Sequence, residues 1–377
     1  MKKICYFINS DWYFDLHWLE RAVAAKKAGY EVHILTHFFD DKIKCKFKDL
    51  GFTCHNVDIN AQSFNACIFI RAFYHSIKII RYIKPDLIHC ITIKPCLIGG
   101  FLAKLFNLPV VVSFVGLGRV FSSKSLIINF LRKITVATYK LIASNKKSIF
   151  MFEHAKDKEK LLSLINMPTD RAIVIDGAGI NTDVYKYSEE PENRIPVVLF
   201  ASRVLWSKGL GDLVKVKEEL NFKGVNFQLN VAGILVEDDK DAIPLEVINK
   251  WHSDGSINWL GQCSNVYKLI RDANIVALPS VYPEGIPRIL LEACSVGRAC
   301  VAYDSGGCDS LIKNDENGLI IKSNTVNEMA DKLEYLLLNP SLRKNMGLSG
   351  REIVLKQFSS KLVINKTLCI YKKIFDI

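Results

Sequence analysis

Short apolar runs alternate with longer amphipathic segments from one end of the chain to the other. This alternation is typical of β–α–β units and parallel sheets. In the first half it predicts seven strands, at residues 3–9, 31–36, 53–57, 87–90, 110–113, 148–151 and 172–175. Between these strands it predicts helices, notably at residues 16–29, 66–83 and 126–142.

The pattern restarts after a polar segment, residues 187–196, which carries two prolines and has no period of its own, as a linker would. Strands are predicted at residues 197–201, 227–232, 257–260, 275–279 and 299–303, and helices at 209–219, 266–273, 286–295 and 326–337. The fold class is therefore α/β, with two Rossmann-like, doubly wound domains facing a cleft that is the expected active site. The expected domains are residues 1–190, residues 191–358, and a last helix within 359–377 that packs back on the first domain.

A length of 377 residues suits two domains, and 49% apolar residues suffice for two cores. The eleven cysteines form no CxxC pair and are odd in number, which favours reduced thiols in a cytoplasmic protein over disulfides or a zinc site. No secretory leader is expected, because two lysines lead directly into the first strand and no small-residue cleavage site follows. The longest apolar stretch, residues 96–118, contains Lys104 and Pro109 and is interpreted as a buried helix–strand pair.

The net charge of +11 is concentrated in the first half. Residues 1–195 carry 28 Lys and Arg against 18 Asp and Glu, whereas the rest of the chain carries 22 against 21. This asymmetry favours an anionic partner such as phospholipid headgroups or a diphosphate, although a solvated basic face is also compatible with it. Nucleic acid is disfavoured as a partner, because no aromatic-basic motif of an RNA or DNA module is present.

The predicted helix at residues 126–142 is both apolar and basic, with Phe130 and Ile134 interleaved with Arg132, Lys133 and Lys140. Such a helix can lie in the interface of an anionic membrane. We therefore expect peripheral association with the inner face of the cytoplasmic membrane. Packing on the first sheet, with the lysines outward, is an equally good interpretation, and the two are compatible.

One stretch of the second half places two carboxylates around a helix start. It runs Pro279-Ser-Val-Tyr-Pro-Glu-Gly-Ile-Pro-Arg and continues to Glu292. Pro287 suits the opening of a helix, and the N–H groups of Gly285 and Ile286 would face an anion there. Positions eight residues apart lie about 80° apart around a helix, so Glu284 and Glu292 can face the same side. The alternative is one capping and one buried, hydrogen-bonded glutamate.

Two cations follow the first strand of the second half, Arg203 at its tip and Lys208 just before a helix. Cations at the carboxyl end of a strand suit the binding of a diphosphate and the stabilisation of a departing nucleotide. Two surface cations would give the same sequence pattern and are the alternative. No metal or other cofactor is expected, because no Asp-x-Asp pair is placed to hold a metal beside a nucleotide.

These residues together resemble family 4 of the retaining glycosyltransferases, which have the GT-B fold. The resemblance rests on Glu284-x7-Glu292, on Ser207-Lys208-Gly209 and on the pair Gly306-Gly307, and it covers nearly the whole chain. It is closest to the branch that acts on undecaprenyl-diphosphate-linked glycans, through His17 with the segment from Asn9, through His89-Cys-Ile-Thr-Ile-Lys-Pro, and through Gly116-Leu-Gly118.

The resemblance implies a role for each of these groups. Arg203 and Lys208 would hold the donor diphosphate and Glu292 the ribose. Glu284 and the backbone of Gly285, Ile286 and Pro287 would hold the transferred sugar. The glycine pairs Gly116/Gly118 and Gly306/Gly307 would line the donor site.

His17 and Lys94 are the candidates for the acceptor side. His17 is expected to open the first helix, and Lys94 follows the strand near His89, where it would meet the acceptor's diphosphate. A helix-capping histidine and a lysine on the solvent rim are the alternatives. The sequence departs from the family pattern at three places: residues 113–118 contain no histidine, Ser310 follows the glycine pair where the family has glutamate, and Asp11 and Trp12 replace a Gly-Gly turn.

The expected function is transfer of a sugar, with retention of configuration, from a nucleotide-sugar donor onto a polyprenyl-diphosphate-linked saccharide in the synthesis of a surface glycan such as O-antigen or capsule. UDP-linked N-acetylhexosamines such as UDP-GalNAc are favoured, with UDP-hexoses and GDP-sugars as alternatives. A sugar-nucleotide 2-epimerase of the same fold is a competing enzyme, and a two-lobed binding protein is a competing non-enzyme. A dinucleotide oxidoreductase is disfavoured, since no G-x-G-x-x-G follows a predicted strand.

Overall fold

The computed structural model describes residues 1–59, 65–122, 125–236, 239–282 and 285–376. The chain divides into two compact units. Unit 1 comprises Met1–Ala178 and Lys361–Ile377, and unit 2 comprises Gly179–Ser360. Each unit is built around its own parallel sheet, as the alternating pattern predicts.

Unit 1 contains a seven-stranded parallel sheet in the order β3-β2-β1-β4-β5-β6-β7. All seven predicted strands are present, with ends that move by no more than two residues. The strands are β1 (Lys3–Phe7), β2 (Glu31–Thr36), β3 (Thr53–Asn56), β4 (Leu87–Ile91), β5 (Val110–Phe114), β6 (Ser148–Phe152) and β7 (Ala172–Val174).

Helices connect these strands. The predicted helix at residues 16–29 is wrong at its start, because the chain is already helical from Asp11 and breaks at Trp18 into two helices. Three of the helices, at Asp41–Asp49, Arg119–Ser122 and Ala155–Leu162, are absent from the sequence analysis. The connecting helices are α1 (Asp11–His17), α2 (Leu19–Lys27), α3 (Asp41–Asp49), α4 (Ala66–Ile83), α5 (Ile93–Leu105), α6 (Arg119–Ser122), α7 (Leu126–Ala143) and α8 (Ala155–Leu162).

Unit 2 contains a six-stranded parallel sheet in the order β10-β9-β8-β11-β12-β13. Five of the strands are predicted, whereas the sixth, β13, is not; it begins at a glycine, which is uncommon in strands. The strands are β8 (Val197–Arg203), β9 (Gln228–Ile234), β10 (Asn258–Trp259), β11 (Ile275–Leu278), β12 (Ala299–Tyr303) and β13 (Gly318–Ile321).

Helices cover the sheet of unit 2, which explains why β11 and β12 are buried along their whole length. The helices are α9 (Leu210–Phe222), α10 (Leu245–Ser253), α11 (Val266–Arg271), α12 (Arg288–Val296), α13 (Cys308–Leu311), α14 (Val326–Leu338) and α15 (Pro340–Ile353).

The boundary between the units differs from the expected one at residue 190, and so does the linker placed at residues 187–196. The division falls after Ala178, and the following segment is fastened to unit 2. Glu190 forms an ion pair with Arg343 at 2.7 Å, and both side chains are at most 5% exposed. The buried guanidinium of Arg298 donates to the carbonyl oxygens of Ser188 and Glu189 at 2.6 and 2.8 Å. This polar, proline-containing segment therefore belongs to unit 2, because the Glu190 side chain and two of the segment's backbone carbonyl groups are bound within that unit.

The last helix, α16 (Ser360–Phe375), packs on unit 1 through a buried polar network. The Tyr371 hydroxyl lies 2.5 Å from His89 Nδ1 and 3.0 Å from the Tyr6 hydroxyl. His89 Nε2 lies 2.6 Å from Ser113 Oγ, so both imidazole nitrogens are hydrogen-bonded. Burial holds the pKa of His89 well below its usual value, and the ring is neutral, with one nitrogen donating and the other accepting.

Of the helices in the part of the chain that the structure describes, none is both long enough and apolar enough to cross a bilayer.

Replacing Arg343 with methionine should destabilise the protein strongly, because it leaves the Glu190 carboxylate buried without its counter-charge. Losing one partner of a buried pair costs about 3–5 kcal/mol. The matched control is Lys344→Met on the neighbouring residue, whose ion pair with Glu192 is long, at 3.9 Å, and exposed. Such a pair contributes at most about 1 kcal/mol. Equilibrium unfolding in urea measures both changes, and equal losses in the two variants would contradict this account of the segment.

Candidate active site

Arg203 and Lys208, the predicted pair of cations, come together around one aromatic ring in unit 2. The Arg203 guanidinium lies 5.7 Å from the centroid of the Tyr282 ring, and Lys208 Nζ lies 5.0 Å from it. Lys208 is 6% exposed, although it is a lysine. Cations at this distance are attracted by the ring's negative face. Both cations therefore lie against the same ring, at and just beyond the carboxyl end of β8.

The turn that carries Lys208 is fixed to the end of the neighbouring strand β11. The carbonyl oxygen of Ser207 accepts the Tyr282 N–H at 3.2 Å, while its hydroxyl donates to the carboxylate of Asp241. Gly209 follows with φ +84°, and a Cβ there would lie 2.0 Å from the carbonyl oxygen of Pro279. Only glycine permits this approach. The Ser-Lys-Gly sequence is therefore what brings the lysine to the ring.

Glu284 lies outside the described residues, so its side chain is not placed. The helix after it begins later than expected: Pro287 is the residue before the first turn and α12 starts at Arg288. The helical angle assumed between Glu284 and Glu292 is therefore wrong, since Glu284 precedes the helix. Ile286, 6% exposed, packs into the core of unit 2.

The two glycine motifs of unit 2 meet. The N–H of Gly307 donates to the carbonyl oxygen of Gly285 at 3.2 Å, and Gly306 has φ +60°. These turns follow β12 and β11, which are neighbours in the sheet. The structure therefore brings the predicted glycine groups of this unit to one edge, where backbone can approach a ligand closely.

Glu292 is on α12 and is 5% exposed. Arg288 Nε donates to its Oε1 at 2.8 Å, and the Tyr185 hydroxyl is a second hydrogen-bond partner. Burial raises the pKa of Glu292, and the charge of Arg288 opposes this shift. The partner Arg288 could have been found from its i,i+4 spacing, but no sequence signal links Tyr185 to this site.

In unit 1 the sheet order reverses between β1 and β4, and Lys94 lies at that point. Ligands of doubly wound sheets bind at such a switch point, beyond the carboxyl ends of the strands. Lys94 is the second residue of α5, just after β4, and it is half-buried, which lowers its pKa. Thr92 before it has φ +71°, a conformation that costs a β-branched residue free energy. Among the described residues, no partner hydrogen-bonds its buried Oγ1. The strained residue, Thr92, thus lies where the ligand is expected.

His17 was expected at a helix start, and this is wrong: it is the last residue of α1. A residue at the end of a helix cannot cap its first turn, so the alternative of a helix-capping histidine is also wrong. Its ring lies 4.4 Å from that of Tyr13, centroid to centroid.

The predicted loop after β5 is held by residues that the sequence analysis missed. Gly116 and Gly118 have φ values of +122° and +66°. Between them, the N–H of Leu117 donates to Asp157 Oδ2 at 3.0 Å. The same oxygen lies 3.2 Å from Nε2 of His154, which is 2% exposed. The two polar residues belong to the next strand–helix turn, and only the pairing of β5 with β6 brings them to the loop.

Glu153, immediately after β6, was also missed. Burial raises its pKa to about 7, and the nearby charge of Arg21 limits the shift. Arg21 is itself buried, stacks on the ring of Trp18 at 4.1 Å and donates to the carbonyl oxygen of Gly177 at 3.1 Å. A carboxyl group that titrates near neutrality at the carboxyl edge of a sheet can either accept or donate a proton there.

Two family models match the chain. Residues 3–147 match the model described as glycosyl transferase 4-like, and residues 183–353 match the model described as glycosyl transferases group 1. A relative from Campylobacter jejuni is N,N'-diacetylbacillosaminyl-diphospho-undecaprenol alpha-1,3-N-acetylgalactosaminyltransferase. It is 27% identical over 347 residues, which cover 89% of each chain.

Solved structures share the architecture. Sucrose-phosphate synthase from Thermosynechococcus elongatus superposes with a TM-score of 0.80 at 16% identity, covering 100% of both chains. The Anabaena protein HepE in complex with UDP superposes with a TM-score of 0.78 at 15% identity, covering 99% of this chain and 100% of its own. With both units matched by glycosyltransferase models and the whole chain matched by GT-B structures, the chain belongs to the family 4 glycosyltransferases and has the GT-B fold.

Proposed function

We propose that this glycosyltransferase moves a sugar from a UDP donor, favoured to be an N-acetylhexosamine such as GalNAc, onto an undecaprenyl-diphosphate-linked saccharide. The observation that supports a nucleotide-sugar donor is that Arg203 and Lys208 both contact the Tyr282 ring. The acceptor half is supported by the name of the Campylobacter jejuni relative and by Lys94 at the switch point of unit 1. UDP is supported by the complex of HepE.

In this proposal the two cations stabilise the leaving group. As the bond between the sugar and the diphosphate breaks, negative charge develops on the phosphate oxygens, and fixed cations at a site with few waters lower the energy of that state. Lys208 is nearly buried, so its position does not have to be reorganised during the reaction. No metal is needed to supply the same charge, and transfer is expected to be metal-independent.

The carboxylates and glycines take the roles that the family resemblance implies. Glu292 holds the ribose, oriented by Arg288 and Tyr185 on its other side. Glu284 contacts the transferred sugar together with the backbone of Gly285–Pro287. The acceptor hydroxyl attacks the anomeric carbon from the face that the nucleotide leaves, its proton passes to the departing phosphate, and the product retains the anomeric configuration.

The membrane half of the proposal rests on α7. Several of its apolar side chains are exposed, with Leu126 at 86%, Ile127 at 74% and Phe130 at 64%. Arg132, Lys133 and Lys140 lie on the same helix. An exposed apolar and basic helix favours binding to an anionic bilayer surface, where the acceptor's lipid resides. We propose peripheral association with the inner face of the cytoplasmic membrane.

The first prediction concerns the donor site. Transfer from radiolabelled UDP- and GDP-sugars to a synthetic sugar-diphospho-polyprenyl acceptor should occur with one donor. Lys208→Ala should reduce kcat about 10²–10³-fold, because removing one group that stabilises developing charge has this effect. Glu284→Ala should also reduce transfer. The matched control is Lys217→Ala, a half-buried lysine on the adjoining helix α9, which should stay within about twofold of the wild type.

Three outcomes would contradict parts of this proposal. No transfer despite tight UDP binding would favour a 2-epimerase. Loss of transfer on treatment with EDTA would overturn metal independence. An inverted anomer in the proton NMR spectrum of the first product would overturn retention.

The second prediction concerns the loop of unit 1. Asp157→Ala removes the acceptor of the Leu117 N–H and should reduce kcat/KM about tenfold, which corresponds to one lost hydrogen bond to a charged group. Asp157→Asn keeps an oxygen that can accept this N–H and should restore most of the activity. Asp170→Ala, an exposed aspartate of the same unit, is the control. If the asparagine variant were as impaired as the alanine variant, the charge rather than the hydrogen bond would be what matters.

The third prediction concerns the membrane. Co-sedimentation with vesicles that contain anionic lipid should weaken as salt rises, because the basic part of the attraction is screened. Phe130→Ser should weaken it further at every salt concentration. Phe222→Ser is the control, since Phe222 in unit 2 is even more exposed, at 94%. Equal losses for the two variants, or binding that is independent of salt, would contradict the assignment of α7.

A further inference from the structure

Where the loop after β1 enters α1, a buried carboxylate and an exposed aromatic ring are neighbours in the sequence. Asp11 is completely buried, whereas Trp12, the next residue, is 49% exposed. The family pattern has a Gly-Gly turn at this place, so the loop is a departure that the proposed function does not explain. A buried carboxylate is costly unless it is hydrogen-bonded, which means that its partners show what it does.

Asp11, the first residue of α1, fastens the end of the loop after β1 to the loop after β2. Its Oδ2 accepts the backbone N–H groups of Phe39 and Asp40 at 2.9 and 3.0 Å, and its Oδ1 accepts that of Trp12 at 2.8 Å. Its own N–H donates to the carbonyl oxygen of His37 at 3.2 Å. The backbones that carry Trp12 and Phe39 are therefore bound to a single carboxylate.

Both of these aromatic side chains face solvent. Phe39 is 65% exposed, and its ring is in edge contact with that of His37, with centroids 4.3 Å apart. Trp12 has the same kind of contact with Tyr13, at 5.6 Å. Exposed aromatic side chains in or next to loops that a rigid scaffold holds in place are typical of binding sites.

The position of Trp12 and Phe39 in the fold indicates the kind of ligand that they bind. The two loops follow β1 and β2, and β1 is the strand beside β4 at the switch point, where Lys94 and the strained Thr92 lie. The proposed acceptor is a sugar joined to a diphosphate. A cation on the β4 side suits the diphosphate, and flat rings on the β1 and β2 side suit the C–H face of a sugar ring.

We propose that Trp12 and Phe39 form a stacking site for the acceptor's sugar, held together by Asp11. This inference rests on the proposed acceptor class and adds the residues that recognise its saccharide. Asp11 acts as a positioning residue, because its carboxylate is buried and bonds only to backbone groups of the two loops among its described contacts.

The test uses the full chain and, as probe, a short-chain polyprenyl diphosphate that carries one N-acetylhexosamine. Binding to the wild type and to variants is measured by calorimetry, beside transfer kinetics. Trp12→Ala and Phe39→Ala should each weaken binding of the probe, and raise its KM, about tenfold, a loss in the range of one stacked ring. The KM of the donor should not change. Phe222→Ala, an exposed ring in unit 2, should leave both unchanged.

Two further variants separate stacking from simple apolar contact. Trp12→Phe keeps a flat ring and should retain most of the affinity, whereas Trp12→Leu keeps apolar surface without a ring and should resemble Trp12→Ala. Equal affinity of the phenylalanine and leucine variants would overturn the stacking site.

The saccharide-free prenyl diphosphate identifies which part of the acceptor the rings contact. Its affinity should be the same for the wild type and Trp12→Ala. An equal loss for both probes would show that the ring contacts lipid, and reduced vesicle binding by Trp12→Ala without any acceptor would assign it to the membrane surface; either result overturns the proposal. Binding of the probe without transfer would refute the proposed function alone, whereas transfer with an unchanged acceptor KM in Trp12→Ala would refute this inference alone.

Discussion

The parallel sheet is the constraint from which the rest of each unit follows. A strand that is covered on both faces has no room for a polar side chain unless a partner is buried with it, as the fully buried strands β4, β5, β11 and β12 show. Where a polar side chain does occur inside, as at His89, it is matched by hydrogen bonds on both nitrogens. Chemistry is thereby confined to the ends of the strands, and because all strands run the same way, their carboxyl ends share one edge.

At that edge, neighbouring turns are bound to each other rather than to the sheet. Ser207 holds the turn after β11, Gly285 accepts from Gly307, and Asp157 accepts from the loop after β5. Asp11 does the same for the segments after β1 and β2, at the carboxyl edge of the first sheet. A ligand group that touches one turn is therefore placed with respect to the next turn by the hydrogen bonds between them, so the precision of the site does not depend on long stretches of ordered backbone.

Strands and long helices could be predicted because burial imposes a period on the sequence. β2 and β12, for example, begin and end at the predicted residues. Arg203 and Lys208 could be found because they are local to one strand end. The ring that both cations contact, Tyr282, could not, since it lies far along the chain and is adjacent only through the pairing of β8 with β11. Asp157 and Tyr185 were missed for the same reason. The boundary at residue 190 was wrong because polarity was interpreted as solvent exposure, whereas Glu190 is polar and buried.

The network of Tyr371 has a consequence for the order of synthesis. The helix that carries it belongs to unit 1 but is translated after all of unit 2. At about 5–20 residues per second, the ribosome needs roughly 10–40 s to make the intervening segment. During that time Tyr6 and His89 lack the hydroxyl that they bind in the finished protein. Unit 1 is thus the first unit to emerge and the last to be completed. Until α16 is translated, the surface of the first sheet on which this helix packs stays uncovered by it.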